Sequence, residues 1–168
     1  FAFDEAEKVF AELLASLGEN HPFARLARRD LAIARLNQTG EGAQERALEL
    51  LEPLVAEDPS DITSHYCIGL IRLFLGDPQA ATEHFRAAVK VDPKDAYAAY
   101  YMGQCLEFAG AADEARTWYA RSAELDSSLR SPLLGLQRIE SRAGHAEEAA
   151  RHLELFQSMA NNPRAKLA

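Results

Sequence analysis

Apolar and small residues in the middle of the chain recur at helical spacing. Between Pro78 and Val91 they fall at Ala81, Phe85, Ala88 and Val89, one stripe of a helix. Asp77 caps this segment, and Pro78 takes the first helical position, where a missing N–H costs nothing. Asp92-Pro93 stops it, because proline disfavours a helical residue ahead of it. Upstream, Ile62–Leu75 reads as a partner helix, capped by Asp61 and closed by Gly76 in the left-handed conformation. The plan continues as Ala96–Ala109, Gly110 and Asp113–Leu125, with Asp126-Ser127-Ser128 in place of the proline turn. Ser131-Pro132 opens a further helix, Gly144 breaks it, and Ala146–Met159 forms its partner. No stretch of useful length alternates with the period of a strand. The pattern predicts an all-α fold of antiparallel helix pairs.

The pairs share one period. Gly42, Gly76, Gly110 and Gly144 are evenly spaced, and Ala47, Ala81, Ala115 and Ala149 keep the same interval. Pro59 and Pro93 keep it too, as do Gly69 and Gly103. Self-similarity at a fixed period of about 34 residues marks a repeat array. It divides the chain into units at 22–61, 62–95, 96–129 and a divergent 130–163, followed by a tail at 164–168. Residues 3–13, FDEAEKVFAEL, align with ADEARTWYARS at 112–122, so 1–17 reads as the second helix of a unit that begins upstream. The interval from Ala6 to Ala47 exceeds one period by about two helical turns. An elongated helix from Pro22 to Gln38 would absorb the excess and keep its facing; a loop insertion is the other solution. Phe1, Phe3 and Phe10 lack their usual neighbour, which makes the N-terminal end a candidate for self-association. The tail NNPRAKLA reads as an exit from the array and not as a cap.

One helix has an unusual composition. DAYAAYYMGQCLEFAG, 95–110, places Tyr97, Tyr100 and Tyr101 on one side of a helix. A core helix prefers Leu, Ile and Ala there, because each buried tyrosine hydroxyl must find a partner. That face is either a binding surface or a packing surface against the next unit.

Composition narrows the function. The net charge of −8 and pI of about 5.1 repel phosphate backbones and anionic lipid heads, so no nucleic-acid partner is expected. The most apolar run, CIGLIRLFLG at 67–76, carries Arg72 and falls far below the roughly 20 residues that span a bilayer. No membrane insertion is expected, and the reading is of a soluble protein. Cys67 and Cys105 form no CxxC or zinc pattern and require no oxidising compartment. His21, His65, His84, His145 and His152 make no ligand spacing, and neither a phosphate loop nor a nucleophile elbow is present. No metal, cofactor or catalytic residue is expected.

The repeat resembles the tetratricopeptide repeat family, whose unit of about 34 residues has Leu-Gly in the first helix, and small and aromatic residues in the second. Here that pattern stands as His65, Ile68-Gly69, Ala81, Phe85, Ala88 and Pro93. It recurs as Ala99, Met102-Gly103, Ala115, Tyr119, Ser122 and Ser127, and more loosely as Leu133, Leu136-Gln137, Ala149, Leu153 and Phe156. Arg35 and Gln137 stand where the family has glycine. The resemblance implies a right-handed superhelix, an α-solenoid whose concave surface is lined by the first helices.

Carried over residue by residue, the implied groove positions are Thr63, Tyr66, Cys67, Leu70, Leu73 and Phe74 in one unit. The next supplies Tyr97, Tyr100, Tyr101, Gln104, Glu107 and Phe108, and the last Ser131, Leu134, Gly135, Arg138, Ser141 and Arg142. Tyr66, Tyr97 and Tyr100 are expected to form the floor, with the Tyr100 ring contributing little to the core. Tyr101 and Cys67 read equally as packing residues. Arg138 and Arg142, at i,i+4, either clamp a carboxylate bidentately or form a solvated helix face. The clamp of the chaperone-binding subclass is replaced by Ala32, Leu36, Cys67, Tyr97 and Tyr101, and the asparagine ladder of the O-GlcNAc transferase type is absent. The resemblance thus implies a non-enzymatic scaffold that takes a peptide, or an extended or helical protein segment, in the groove. A substrate-presenting module of a larger enzyme and a self-assembly unit are the alternatives.

Overall fold

The computed structural model describes residues 2–18, 21–36, 42–160 and 162–168. Among them the chain forms nine helices: α1 (Ala2–Leu17), α2 (Ala24–Leu36), α3 (Ala43–Glu57), α4 (Ile62–Phe74), α5 (Pro78–Val91), α6 (Ala96–Phe108), α7 (Ala112–Leu125), α8 (Ser131–Ala143) and α9 (Ala146–Ser158). The pairs α2–α3, α4–α5, α6–α7 and α8–α9 pack tightly, and each docks on the next through α3–α4, α5–α6 and α7–α8. This is the all-α solenoid of helix pairs that the pattern predicts.

Helix ends follow the local chemistry. The Asp61 carboxylate accepts the Ser64 N–H at 3.1 Å, and Asp77 accepts that of Ala80 at 3.0 Å. Asp95 takes both Tyr97 and Ala98, at 2.9 and 3.0 Å. Gly76 and Gly110 follow α4 and α6 with φ of 78° and 81°, where an L side chain would be strained.

Inside each pair a glycine admits an aromatic ring. A Cβ at Gly69 would lie 2.7 Å from Cζ of Phe85, and one at Gly103 2.8 Å from Cδ1 of Tyr119. Phe85 and Tyr119, one repeat apart, are fully buried. Ser122 stands where the preceding unit has Ala88; its hydroxyl is satisfied by donating to the Ala96 carbonyl at 2.7 Å.

The first unit departs from the sequence reading. The α2 helix has 13 residues, the same as α4, α6 and α8, so it is not elongated. The loop insertion that the sequence left as the other solution remains open. Residues 37–41 lie outside the described residues. The small residue buried beside Ala47 and Leu51 in α2 is Ala32, and not Arg35. Arg35 is half-exposed and pairs with Glu7 of α1 at 3.0 Å.

The two ends differ. On α1, Val9 and Leu13 are exposed and Phe10 is half-buried; Phe1 and the Phe3 side chain lie outside the described residues. At the other end the tail does not exit. Its Lys166 N–H donates to the Ser128 carbonyl at 2.8 Å and its carbonyl accepts from Arg130 at 2.9 Å, a parallel bridge onto the α7–α8 turn. The Ala168 N–H reaches Ser131 Oγ at 2.8 Å.

Candidate functional site

Helices α4, α6 and α8 are the first helices of their pairs and carry the positions the sequence singles out. In α4 and α6 a glycine packs one face on the partner helix, Gly69 against Phe85 and Gly103 against Tyr119, and the predicted groove positions are assigned to another face. On that face Leu70 and Phe74 of α4 and Phe108 of α6 are exposed, Phe74 and Phe108 by 76% and 69%. Thr63 is exposed as well. Phe74 and Phe108 sit one repeat apart, and each is the last residue of its helix.

The tyrosines divide. Tyr97 is half-buried and packs beside the α6–α7 core. Tyr66 is half-buried and donates its hydroxyl to Asp95 at 2.6 Å. Burial, then the bond to Asp95, pushes that hydroxyl far above its ordinary pKa, so it remains a donor. Asp95 caps α6, and Tyr66 thus couples one first helix to the start of the next. Arg29 on α2 lies in the corresponding place, 3.9 Å from Asp61.

Tyr100 corrects the expectation of a free floor. It is 9% exposed and packs with Ala115, Tyr119, Leu136 and Ile139, its ring 5.7 Å from that of Tyr119. At its hydroxyl it accepts the Gln104 side-chain amide at 3.3 Å. Leu129 stands one repeat after Asp95 and packs in the same cluster, so the Tyr100 hydroxyl has no carboxylate there as Tyr66 has in Asp95. Tyr101 is a packing residue, stacked on Phe85 at 4.9 Å with an interplanar angle of 15°. Cys67 is half-buried against the α2–α4 core, and burial raises its thiol pKa.

Gly135 is also core and not groove. A Cβ there would lie 2.5 Å from Cε2 of Tyr119, so Tyr119 is held between Gly103 on α6 and Gly135 on α8. The equivalent sandwich one unit earlier has Phe85 between Gly69 and Tyr101.

Arg138 and Arg142 meet a carboxylate of their own chain. Arg138 donates Nε and Nη2 to the two oxygens of Glu107, at 3.1 and 2.8 Å. Arg142 adds Nη1 at 3.0 Å, and the Tyr119 hydroxyl a fourth bond at 2.8 Å. Burial opposes the charge on Glu107. The hydrogen bonds from Arg138 and Tyr119, with the charges of both arginines, overcome it and hold the carboxyl below its ordinary pKa. Around this cluster lies a pocket of about 450 Å³ lined by Gln104, Glu107, Phe108, Arg138 and Arg142. Helices α6 and α8 touch directly at this level.

Sequence reasoning placed Gln104, Phe108, Arg138 and Arg142 together but missed the role of Glu107 as the common acceptor of Arg138, Arg142 and Tyr119. No periodic mark signals it, since the contact spans 31 residues and has no counterpart one unit earlier. Among the described residues no group of three or more His, Cys, Asp or Glu could hold a metal, and no helix is long and apolar enough to cross a membrane.

Residues 68–129, which carry most of these features, match the model of the tetratricopeptide repeat family. Solved structures similar to the whole chain share its helical fold. The crystal structure of MamA aligns with a TM-score of 0.81 at 18% identity, covering 94% of this chain and 88% of that one. MamA from Desulfovibrio magneticus RS-1, residues 41 to the end, gives 0.78 at 18% identity over 96% and 95%. MamA AMB-1 gives 0.73 at 20% identity over 95% and 88%. At these identities the likeness is one of fold. No curated protein matches the chain in sequence.

Proposed function

We propose that this chain is a non-enzymatic protein–protein interaction scaffold that takes a peptide, or an extended or helical segment, against α4, α6 and α8. Tetratricopeptide repeats serve as protein-interaction modules, and the family match supports that role. The observation that carries the reading is the exposed apolar row Leu70, Phe74 and Phe108 beside the polar pocket of Gln104, Arg138 and Arg142. Exposed aromatic side chains facing a concave surface supply apolar area at low entropic cost. The half-buried Tyr66, Tyr97 and Tyr101 are assigned to the border of the row, and the exposed Thr63 to its extension at the start of α4.

The test is selection of a random dodecapeptide library on the immobilised chain. Peptides so obtained should lose affinity for a Phe74→Ala/Phe108→Ala double variant that melts at the wild-type temperature. Equal affinity for both proteins would move the binding surface elsewhere.

A second reading has its own observation: Val9 and Leu13 leave the α1 face apolar, 54% and 40% exposed. Self-association through this end predicts a mass by light scattering that rises with concentration and falls back to monomer in Val9→Lys/Leu13→Lys. A monomer at all concentrations removes it.

A further inference from the structure

We infer that the segment bound in this groove presents an acidic side chain next to an apolar one, with Arg142 and Phe108 recognising the two. The inference deepens the groove reading and rests on it.

The pocket is lined by two guanidinium groups and one carboxylate. Glu107 neutralises one of them, which leaves one positive charge in excess in a chain whose net charge is −8. The next cation, Arg116, is answered by Asp113 and Glu140 at 3.0 and 2.8 Å, so it does not share in the excess.

The two arginines are not equivalent. Arg138 grips both Glu107 oxygens, and Tyr119 fixes that carboxylate from the core side. Glu107 and Arg138 are therefore structure. Arg142 contributes one nitrogen to Glu107 and its side chain is 67% exposed, so its other N–H groups remain for a ligand among the described residues. A guanidinium held at one corner by an internal carboxylate is oriented in advance, which lowers the ordering cost of binding a second carboxylate.

Phe108 follows Glu107 in sequence and forms the apolar wall of the same pocket. The Gln104 amide, whose N–H₂ is given to Tyr100, keeps its carbonyl oxygen as an acceptor for a backbone N–H. Carboxylate donor, apolar wall and amide acceptor together describe a peptide-like segment. The volume of about 450 Å³ is within the range of ligand pockets. A polyanion fits poorly, because a single excess charge cannot offset repulsion by the acidic chain.

The experiment is the random dodecapeptide selection run in parallel on wild type and on Arg142→Gln. Arg142 is exposed, so its loss leaves Glu107 bound by Arg138 and Tyr119, and equal melting temperatures confirm this. Peptides selected on wild type should be enriched in Asp or Glu beside a Leu, Phe or Ile. The enrichment in acid should vanish on Arg142→Gln while the apolar preference stays. One wild-type peptide should bind about tenfold more weakly when its acid becomes Gln, and this difference should disappear on Arg142→Gln. Apolar peptides without acid enrichment that depend on Phe108 would overturn the inference and leave the groove reading standing. Acid enrichment that persists on Arg142→Gln would also overturn it. Peptides indifferent to Phe74 and Phe108, or no enriched peptide, would overturn both.

Discussion

Glu107 on α6 and Arg138 on α8 are joined by two parallel hydrogen bonds, at 3.1 and 2.8 Å, which tie successive first helices to each other. The Glu107 side chain is 9% exposed and that of Arg138 40%. Replacing Glu107 with Ala leaves a half-buried guanidinium and the Tyr119 hydroxyl without their acceptor. The expected loss is roughly 1–3 kcal/mol, measured by urea unfolding. Because Glu107 is held below its ordinary pKa, this contribution is present above the unfolded-state value and is lost as pH falls through the folded one.

Tyr119 fills the space left by two glycines at once. Gly103→Leu and Gly135→Ala should each destabilise by about 1–3 kcal/mol through overpacking against its ring. Replacing Tyr119 with Leu in the Gly135→Ala background should recover part of the loss. A Gly103→Leu protein that melts at the wild-type temperature would mean that α6 and α7 do not pack as described.

Tyr100 and Phe108 stand on one helix and should respond oppositely to truncation. Tyr100→Ala removes a buried ring and should cost about 3 kcal/mol in stability. Phe108→Ala removes an exposed one and should change stability by about 0.5 kcal/mol or less while weakening binding. Thermal melts of the two variants in one buffer check this contrast.

His65 and His84 pair through their Nδ1 atoms at 3.0 Å, and His65 Nε2 lies 3.2 Å from the Pro59 carbonyl. A carbonyl only accepts, so His65 carries its proton on Nε2 and His84 donates from Nδ1. Burial, then the charges of His65 and Arg72, lower the His84 pKa below its ordinary 6.5, against smaller opposing effects of Glu83 and Glu52. A depressed pKa means that the neutral form is favoured in the fold. The contribution is therefore complete above pH 6.5 and declines as pH falls through that value toward the folded-state pKa. Melting curves between pH 7.5 and 5.5 should show a loss in wild type that is smaller in His84→Gln. Identical pH slopes would contradict the assignment.

Much of the solenoid was legible because each helix end has a chemical mark and each mark repeats. Asp61, Asp77 and Asp95 cap, Gly76 and Gly110 close, and the small–aromatic pairs Gly69–Phe85 and Gly103–Tyr119 pack. What escaped was set by contacts between units. Ala32, not Arg35, lies buried beside Ala47 and Leu51, and a fixed period cannot place the residues by which this unit exceeds it. Tyr100 and Tyr66 occupy the same place in the repeat, yet Tyr66 meets Asp95 while Tyr100 meets core. The tail bridge is made by backbone hydrogen bonds, which leave no repeating mark in the sequence.

The central claim is that binding occurs on the face shared by α4, α6 and α8. Amide hydrogen exchange of the chain with and without a selected peptide reads that location directly. The account predicts slowed exchange in residues 62–74, 96–108 and 131–143, strongest around Phe74, Phe108 and Arg142. Protection confined to α5, α7 or α9, or an unchanged pattern at saturating peptide, would contradict it.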